Sequence, residues 1–427
     1  MVSASIAAPA YASDPLPDQA HGLEAPPGTT TEDVALFVPR VLVMAPRLAL
    51  TLVFFPLEQG LRVFSRRVQS TNGATPAVDD DVRTVAVLPH LSYVSGFGPT
   101  LGVAGRYQNL GGSDEEAALT AGVGGVYAQF AEAAFHADRT AGSRLWIESR
   151  TRYEIKPQQI FQGIGDGAAP ESRFREERLL AVGRAGVTVG EKGRLVRIGG
   201  SLVFERSSFG PKDDGYSSAP SIEAAYDAHS LVGFERGVRT VEAQANLVVD
   251  TRDEVAATSR GISAQAFVGV VPVLQSYGYA HVGADVTGTV DLYKGNRVLV
   301  LRAAFEGVHG PQGEVPFSRL ARLGGPDSLR GYRIDRYRDR DSALLSAEYR
   351  YPIHDIVAGA LFVDAGHVAP DPASLTAVDR WRAGVGIGLR IRTKDAFLAS
   401  LDLAYGDGVQ LFFTVFPFES RAQWNKP

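Results

Sequence analysis

The residues best equipped for chemistry lie between positions 322 and 366. The stretch RLGGPDSLRGYRIDRYRDRDSALLSAEYRYPI, residues 322–353, crowds arginine against glycine and aspartate. It then runs into alternating polar and apolar residues that include Glu348, and Asp364 follows in FVDAG. A guanidinium is a planar fork of donors that can hold two carboxylates at once. Arg330 with Glu348 and Asp364 therefore offers clamping rather than bond-making. Bond-making groups are scarce elsewhere. The chain has no cysteine, its eight histidines are dispersed, and it carries no HExxH or GxSxG motif. Pairs such as His281 with Asp285 read as wall residues, and the glycines of GVGGVY sit inside a strand-like run, not a phosphate loop. We expect no enzymatic activity, no metal and no cofactor.

The elements that must position the clamp are strands, because from Thr84 onward the apolar pattern has a period of two. In WRAGVGIGLRIR, Ala383, Val385, Ile387, Leu389 and Ile391 share a face opposite Arg382, Gly384, Arg390 and Arg392. In RLWIESRTRYEIK, Leu145, Ile147, Tyr153 and Ile155 oppose Glu148, Arg150, Arg152, Glu154 and Lys156. Glu348 falls on the side of Ser346 and Arg350, and Asp364 falls opposite Leu361, Val363 and Ala365. Both carboxylates thus belong to the polar face. Soluble strands average about five or six residues, whereas many of these runs reach ten or more. Long alternating runs joined by short Gly-rich turns (EKG, KGN) fit an outer-membrane barrel. The reading is all-β: a transmembrane antiparallel β-barrel of about sixteen strands over 84–418, with its polar face on the lumen. No long apolar helix follows Arg83, and a barrel needs none. A net charge of -5 with scattered arginine argues against nucleic acid.

The front of the chain reads differently. Residues 1–12 end in Ala10-Tyr11-Ala12, a small-x-small pattern of the signal-peptidase type, and suggest the tail of a signal peptide. Residues 13–33 are rich in Pro, Gly and Asp and are expected to be disordered. In 34–68, Arg40, Arg47 and Arg62 fall on one narrow face of an otherwise apolar, proline-broken helix, suited to a membrane interface or to plugging an opening. Residues 69–83 read as a linker and 419–427 as a tail. At the barrel's two ends, TVAVLPHLSYVS carries Pro89 and VQLFFTVFPF carries Phe412, Phe416, Pro417 and Phe418. Proline donates nothing to a ladder. Either both prolines weaken the closing seam, or each sits at a rim beyond the pairing.

GGPDSLRGYR resembles the sixth extracellular loop signature of the BamA/TamA superfamily of outer-membrane assembly barrels (the bacterial surface antigen type): an apolar residue, then Arg-Gly-aromatic, here Leu329, Arg330, Gly331 and Tyr332. The resemblance implies that this loop folds back into the lumen, where its arginine meets acids in contexts like EYRYPI and FVDAG, here Glu348 and Asp364, the latter followed by Gly366. FQGIGDGAAPESRF, DTRDEVAATSRG and GVQLFFTVFPF resemble further elements of the family, although Thr258 stands where proline is usual and residues follow the terminal aromatic. Family members usually carry periplasmic POTRA domains. The residues ahead of Thr84 hold no such alternation, so the chain resembles the POTRA-less branch.

The resemblance implies a bacterial outer-membrane location and a role in insertion, assembly or translocation of proteins or lipids through a weak first/last-strand seam. Implied partners are outer-membrane lipids (lipopolysaccharide, phospholipid), a periplasmic or outer-membrane protein, and unfolded client proteins. The alternative is a passive pore, lined by Arg152, Arg302, Arg382, Arg390 and Arg392 and offset by Glu148, Glu154, Glu306 and Asp402.

Overall fold

The computed structural model describes residues 84–415, except 111–114, 138–143, 168, 191–194, 216, 255–257, 275–276, 312–314, 355–356 and 393–396. The segments expected as leader, disordered stretch, amphipathic helix (Arg40, Arg47, Arg62), linker and tail lie outside the described residues, as do Phe416, Pro417 and Phe418.

Eighteen strands follow one another: β1 (Thr84–Val94), β2 (Gly98–Gln108), β3 (Glu116–Gly124), β4 (Tyr127–Ala137), β5 (Leu145–Phe161), β6 (Ser172–Val189), β7 (Leu195–Pro211), β8 (Val238–Asp250), β9 (Gly261–Leu274), β10 (Tyr277–Tyr293), β11 (Arg297–His309), β12 (Ala321–Leu323), β13 (Tyr337–Asp339), β14 (Asp341–His354), β15 (Val357–Ala369), β16 (Arg382–Arg392), β17 (Phe397–Tyr405) and β18 (Val409–Val415). Sixteen of them form one closed antiparallel barrel, in which β1 closes against β18 and β11 pairs with β14. The remaining two, β12 and β13, make a small hairpin within the β11–β14 connection. Apart from the β1–β18 closure and the β11–β14 pair, each barrel strand pairs with its sequence neighbours, because two-sided alternation leaves its hydrogen-bonding edges free while its faces choose lumen or lipid.

The apolar face points outward. Val87, Leu119 and Leu202 are 65%, 67% and 62% exposed, which would be costly in water and is what a lipid-facing wall requires. Charged side chains such as Glu154, Glu205 and Glu242 point inward and are fully buried. The connections at the end where β1 begins and β18 stops are mostly short. One of them, 294–296, has positive φ at Lys294 and Gly295 (44° and 76°), as the central residues of a tight hairpin turn need. The long connections, 212–237 and 310–340, lie at the other end, as in outer-membrane barrels with short periplasmic turns. Under them six buried residues (Phe161, Phe174, Ile222, Ala228, Phe234 and Phe317) pack into one cluster.

The seam is unequal to its neighbours. Among the described residues, β1 and β18 register three pairs (Ser92 with Thr414, Tyr93 with Phe413, Val94 with Phe412), against eleven between β1 and β2. Pro89 is not at a rim: it lies inside β1, opposite Val103 of β2. Backbone donors alternate sides along a strand. The Ser95 amide donates to the Leu411 carbonyl at 3.0 Å, so the donor that Pro89 lacks falls on the β18 side.

Candidate functional site: a loop clamped inside the barrel

The connection 310–340 is the sixth at the end away from the start of β1. It folds into the lumen because its own residues give it a core: Leu323, Leu329, Tyr332 and Tyr337 pack with Leu344 and Val368 of the wall. Its tip is stiffened locally. The Gly324 amide donates to Ser328 Oγ at 2.9 Å, the Gly325 amide to the Tyr332 carbonyl at 3.1 Å, and the Tyr332 amide to the Leu329 carbonyl at 3.2 Å.

This tip delivers Arg330 to the wall. Nε and Nη2 donate to the two oxygens of Asp364, each at 2.8 Å, and the Arg330 backbone amide adds a third bond to Asp364 at 3.2 Å. Nη1 donates to Glu348 at 2.7 Å and Nη2 reaches Ser346 Oγ at 3.3 Å. The guanidinium carbon sits 3.4 Å from the centroid of the Phe362 ring, adding a cation–π contact. Arg330, Glu348 and Asp364 are 7%, 6% and 0% exposed. Burial disfavours the charged guanidinium, but the hydrogen bonds and charges of Asp364 and Glu348 outweigh it and hold Arg330 above its ordinary value.

Neighbouring residues complete the charge balance. Glu348 also accepts from Arg350 and Arg390, both at 2.7 Å, and Arg390 contacts Asp402 at 2.7 Å. Three cations thus meet three carboxylates, and Ser346 Oγ donates to Asp364 at 2.6 Å. A buried charge is tolerated when partners of this kind surround it.

Gly331 is required by proximity, since its φ is not in the left-handed region. A Cβ there would stand 2.7 Å from the Tyr405 carbonyl oxygen and 2.9 Å from the Gly406 Cα. The Tyr332 hydroxyl donates to the Ala383 carbonyl at 3.1 Å. Gly366 leaves room for Leu323, whose Cδ1 a Cβ would meet at 2.9 Å. Leu329, Arg330, Gly331, Tyr332, Glu348, Asp364 and Gly366 are therefore brought together. Phe412 and Pro89 lie on the two strands of the seam, β18 and β1.

Two further anchors were not read from the sequence. Arg319, at the start of the loop, donates to Glu205 of β7 at 2.6 Å, to Glu242 of β8 at 3.3 Å and to the Tyr279 hydroxyl of β10 at 3.1 Å. Asp335, with φ of 54°, accepts from Gln159 of β5 at 2.6 Å and from Arg322 at 2.9 Å. Burial works against its charge, yet Arg322 and Arg338 beside it hold the Asp335 carboxyl below its ordinary range. His281 does not pair with Asp285. It lies between Glu242 (2.9 Å) and Glu306 (3.1 Å), while Asp285 takes Arg302 at 2.6 Å. Arg152 is paired with Glu132 and Glu154, and Arg382 reaches the Asp166 carbonyl at 3.4 Å.

Comparison with known proteins places this geometry. Among solved structures, the barrel is similar to BamA from Haemophilus ducreyi lacking POTRA domains 1-3, with a TM-score of 0.57 at 16% identity over 78% of this chain and 70% of that one. It is also similar to CdiB from Acinetobacter baumannii (TM-score 0.51, 13% identity, 78% and 59% of the two chains). CdiB from Escherichia coli gives a TM-score of 0.53 at 12% identity over 80% and 63% of the two chains. The chain thus spans less than two thirds of either CdiB structure. No curated protein matches it. The Omp85 superfamily domain matches residues 109–413. With that match over most of its length and a sixteen-strand barrel around an inserted loop, the chain belongs to the Omp85 superfamily of outer-membrane barrels.

Proposed function

We propose that this barrel assists the insertion, assembly or translocation of proteins or lipids at the outer membrane, using the β1–β18 seam as its working edge. The observation that carries this reading is the seam itself, with three registered pairs among the described residues beside a neighbour with eleven. Main-chain bonds that are not made are available to an incoming strand, and Pro89 keeps part of the β1 edge unpaired on that side. The Arg330 clamp holds the inserted loop against β14 and β15, while the Asp407 amide, in the β17–β18 turn, donates to the Gly331 carbonyl at 3.0 Å, so the plug is fastened up to the strand beside the seam. The lumen arginines Arg152, Arg302 and Arg390 are ion-paired, which supports a plugged barrel over an anion-leaning pore. No covalent step is required of it.

The absence of native cysteine makes the test clean. Cysteines at Ser92 and Thr414, which are in register, should lock the seam when oxidised and stop client assembly in reconstituted membranes, with recovery on reduction. Full activity in the locked barrel would refute the seam reading. Large, steady conductance steps in planar bilayers would point to a pore instead.

A further inference from the structure

A pair of arginines on the outer wall has no role in the clamp or the seam. Arg206 of β7 and Arg239 of β8 are directly opposite in register. Their strand neighbours Glu205, Ser207, Val238 and Thr240 are buried on the lumen side, so both arginines face outward, and both are exposed. Like charges placed directly opposite each other on a sheet destabilise it. Among the described residues neither arginine is ion-paired. The Arg239 guanidinium lies 5.9 Å from the Phe204 ring centroid, which does not neutralise it.

Their depth gives the reason. Leu202, 62% exposed, and Phe204 continue the apolar belt below Arg206, and Val241 and Ala243 continue it below Arg239. Register places Tyr153, Leu179, Arg206 and Arg239 in one row across β5 to β8. On β7 and β8 that row is where the outward apolar belt ends on the side of the long loops. Tyrosine collects at such interfaces, and arginine on a lipid face is tolerated there at about 0–1 kcal/mol but not at the midplane. Glu177 is diagonal to Arg206 on β6, but it is engaged by the Tyr153 hydroxyl at 2.8 Å and by Arg175 at 3.7 Å.

We propose that Arg206 and Arg239 form a docking site for the phosphorylated headgroup of an outer-leaflet lipid. Two planar forks side by side match the oxygens of one phosphate. The acyl chains would lie along Phe204, Leu202 and Val241, directly beneath the headgroup.

The test is native mass spectrometry of the full chain in detergent, titrated with diphosphoryl lipid A, with the same lipid stripped of phosphate, and with inorganic phosphate. Wild type should retain the diphosphoryl lipid. At about 1 kcal/mol per cation, Arg206→Gln with Arg239→Gln should weaken retention about thirtyfold, and Arg239→Gln alone about fivefold. Heat-modifiable migration checks that each variant is folded, and the single variant decides if the double one fails to fold. Equal binding of the phosphorylated and stripped lipids, unchanged retention in a folded variant, or full displacement by inorganic phosphate would each overturn the proposal.

Discussion

Arg330 and Arg338 leave the same loop and are both buried, at 7% and 2% exposure, yet they are held in opposite ways. Arg330 reaches the spanning wall and is enclosed by two carboxylates, a hydroxyl and a ring. Arg338 lies against the aromatic cluster under the long connections. It stands 5.2 Å from the Phe161 ring and 5.7 Å from the Phe317 ring, gives Nη1 to the Phe317 carbonyl at 3.3 Å, and its Nε and Nη2 find no acceptor among the described residues. Burial pushes the Arg338 guanidinium down to about 10. The difference teaches that burial of a cation says little until its partners are counted. One arginine fastens the loop, and the other is merely accommodated by it.

The largest effect should come from Arg330→Ala. It strands Asp364 and removes one of three cations from Glu348, so we expect a loss of roughly 3–5 kcal/mol. The reading is the temperature at which the folded band converts to the unfolded one on semi-native gels, and an unshifted transition would break the comparison. Arg338→Met should move the other way or not at all, because an incompletely satisfied buried cation replaced by an apolar side chain is neutral or stabilising by about 1–4 kcal/mol. A loss as large as that of Arg330→Ala would erase the distinction. Tyr332→Phe removes one hydrogen bond, to Ala383, and should cost about 1 kcal/mol in the same assay.

The smallest effect is a pH dependence through Asp335. Its folded-state pKa lies below 3.8, so its contribution is fully present above that unfolded value and is lost as pH falls through the depressed folded value. Cleavage within 310–340 by an acid-stable protease should stay low from neutral pH to near that limit and rise only beneath it. Asp335→Asn should flatten the profile.

Much of the barrel was legible because alternation is a local property. The faces of Glu348, Asp364 and Ala383 followed from sequence parity alone, and the strand total from the spacing of turns. The clamp's remaining members were not legible as such. Arg390 and Asp402 counted only as lumen charges, because their meeting with Glu348 depends on the registers of β14 to β17, which are non-local. Arg319 gave no signal, since a loop arginine ordinarily stays in water and its partners Glu205 and Glu242 lie far back in the chain. The β12–β13 hairpin, three residues a side, is too short for any period to reveal. Pro89 left two readings open, and only its pairing with Val103 excludes the rim.

The barrel's wall is of uneven height. β5, β6 and β7 run for 17, 18 and 17 residues, while β1, β2 and β3 run for 11, 11 and 9. At about 3.4 Å per residue, the tall flank overtops the low one by roughly two headgroup layers. The low flank borders the seam, and the turns beside it, 95–97 and 406–408, are brief. A visitor from outside the cell, whether antibody, phage or neighbouring polysaccharide, therefore meets a parapet on one side and a low sill on the other, and the sill is where the cylinder was joined.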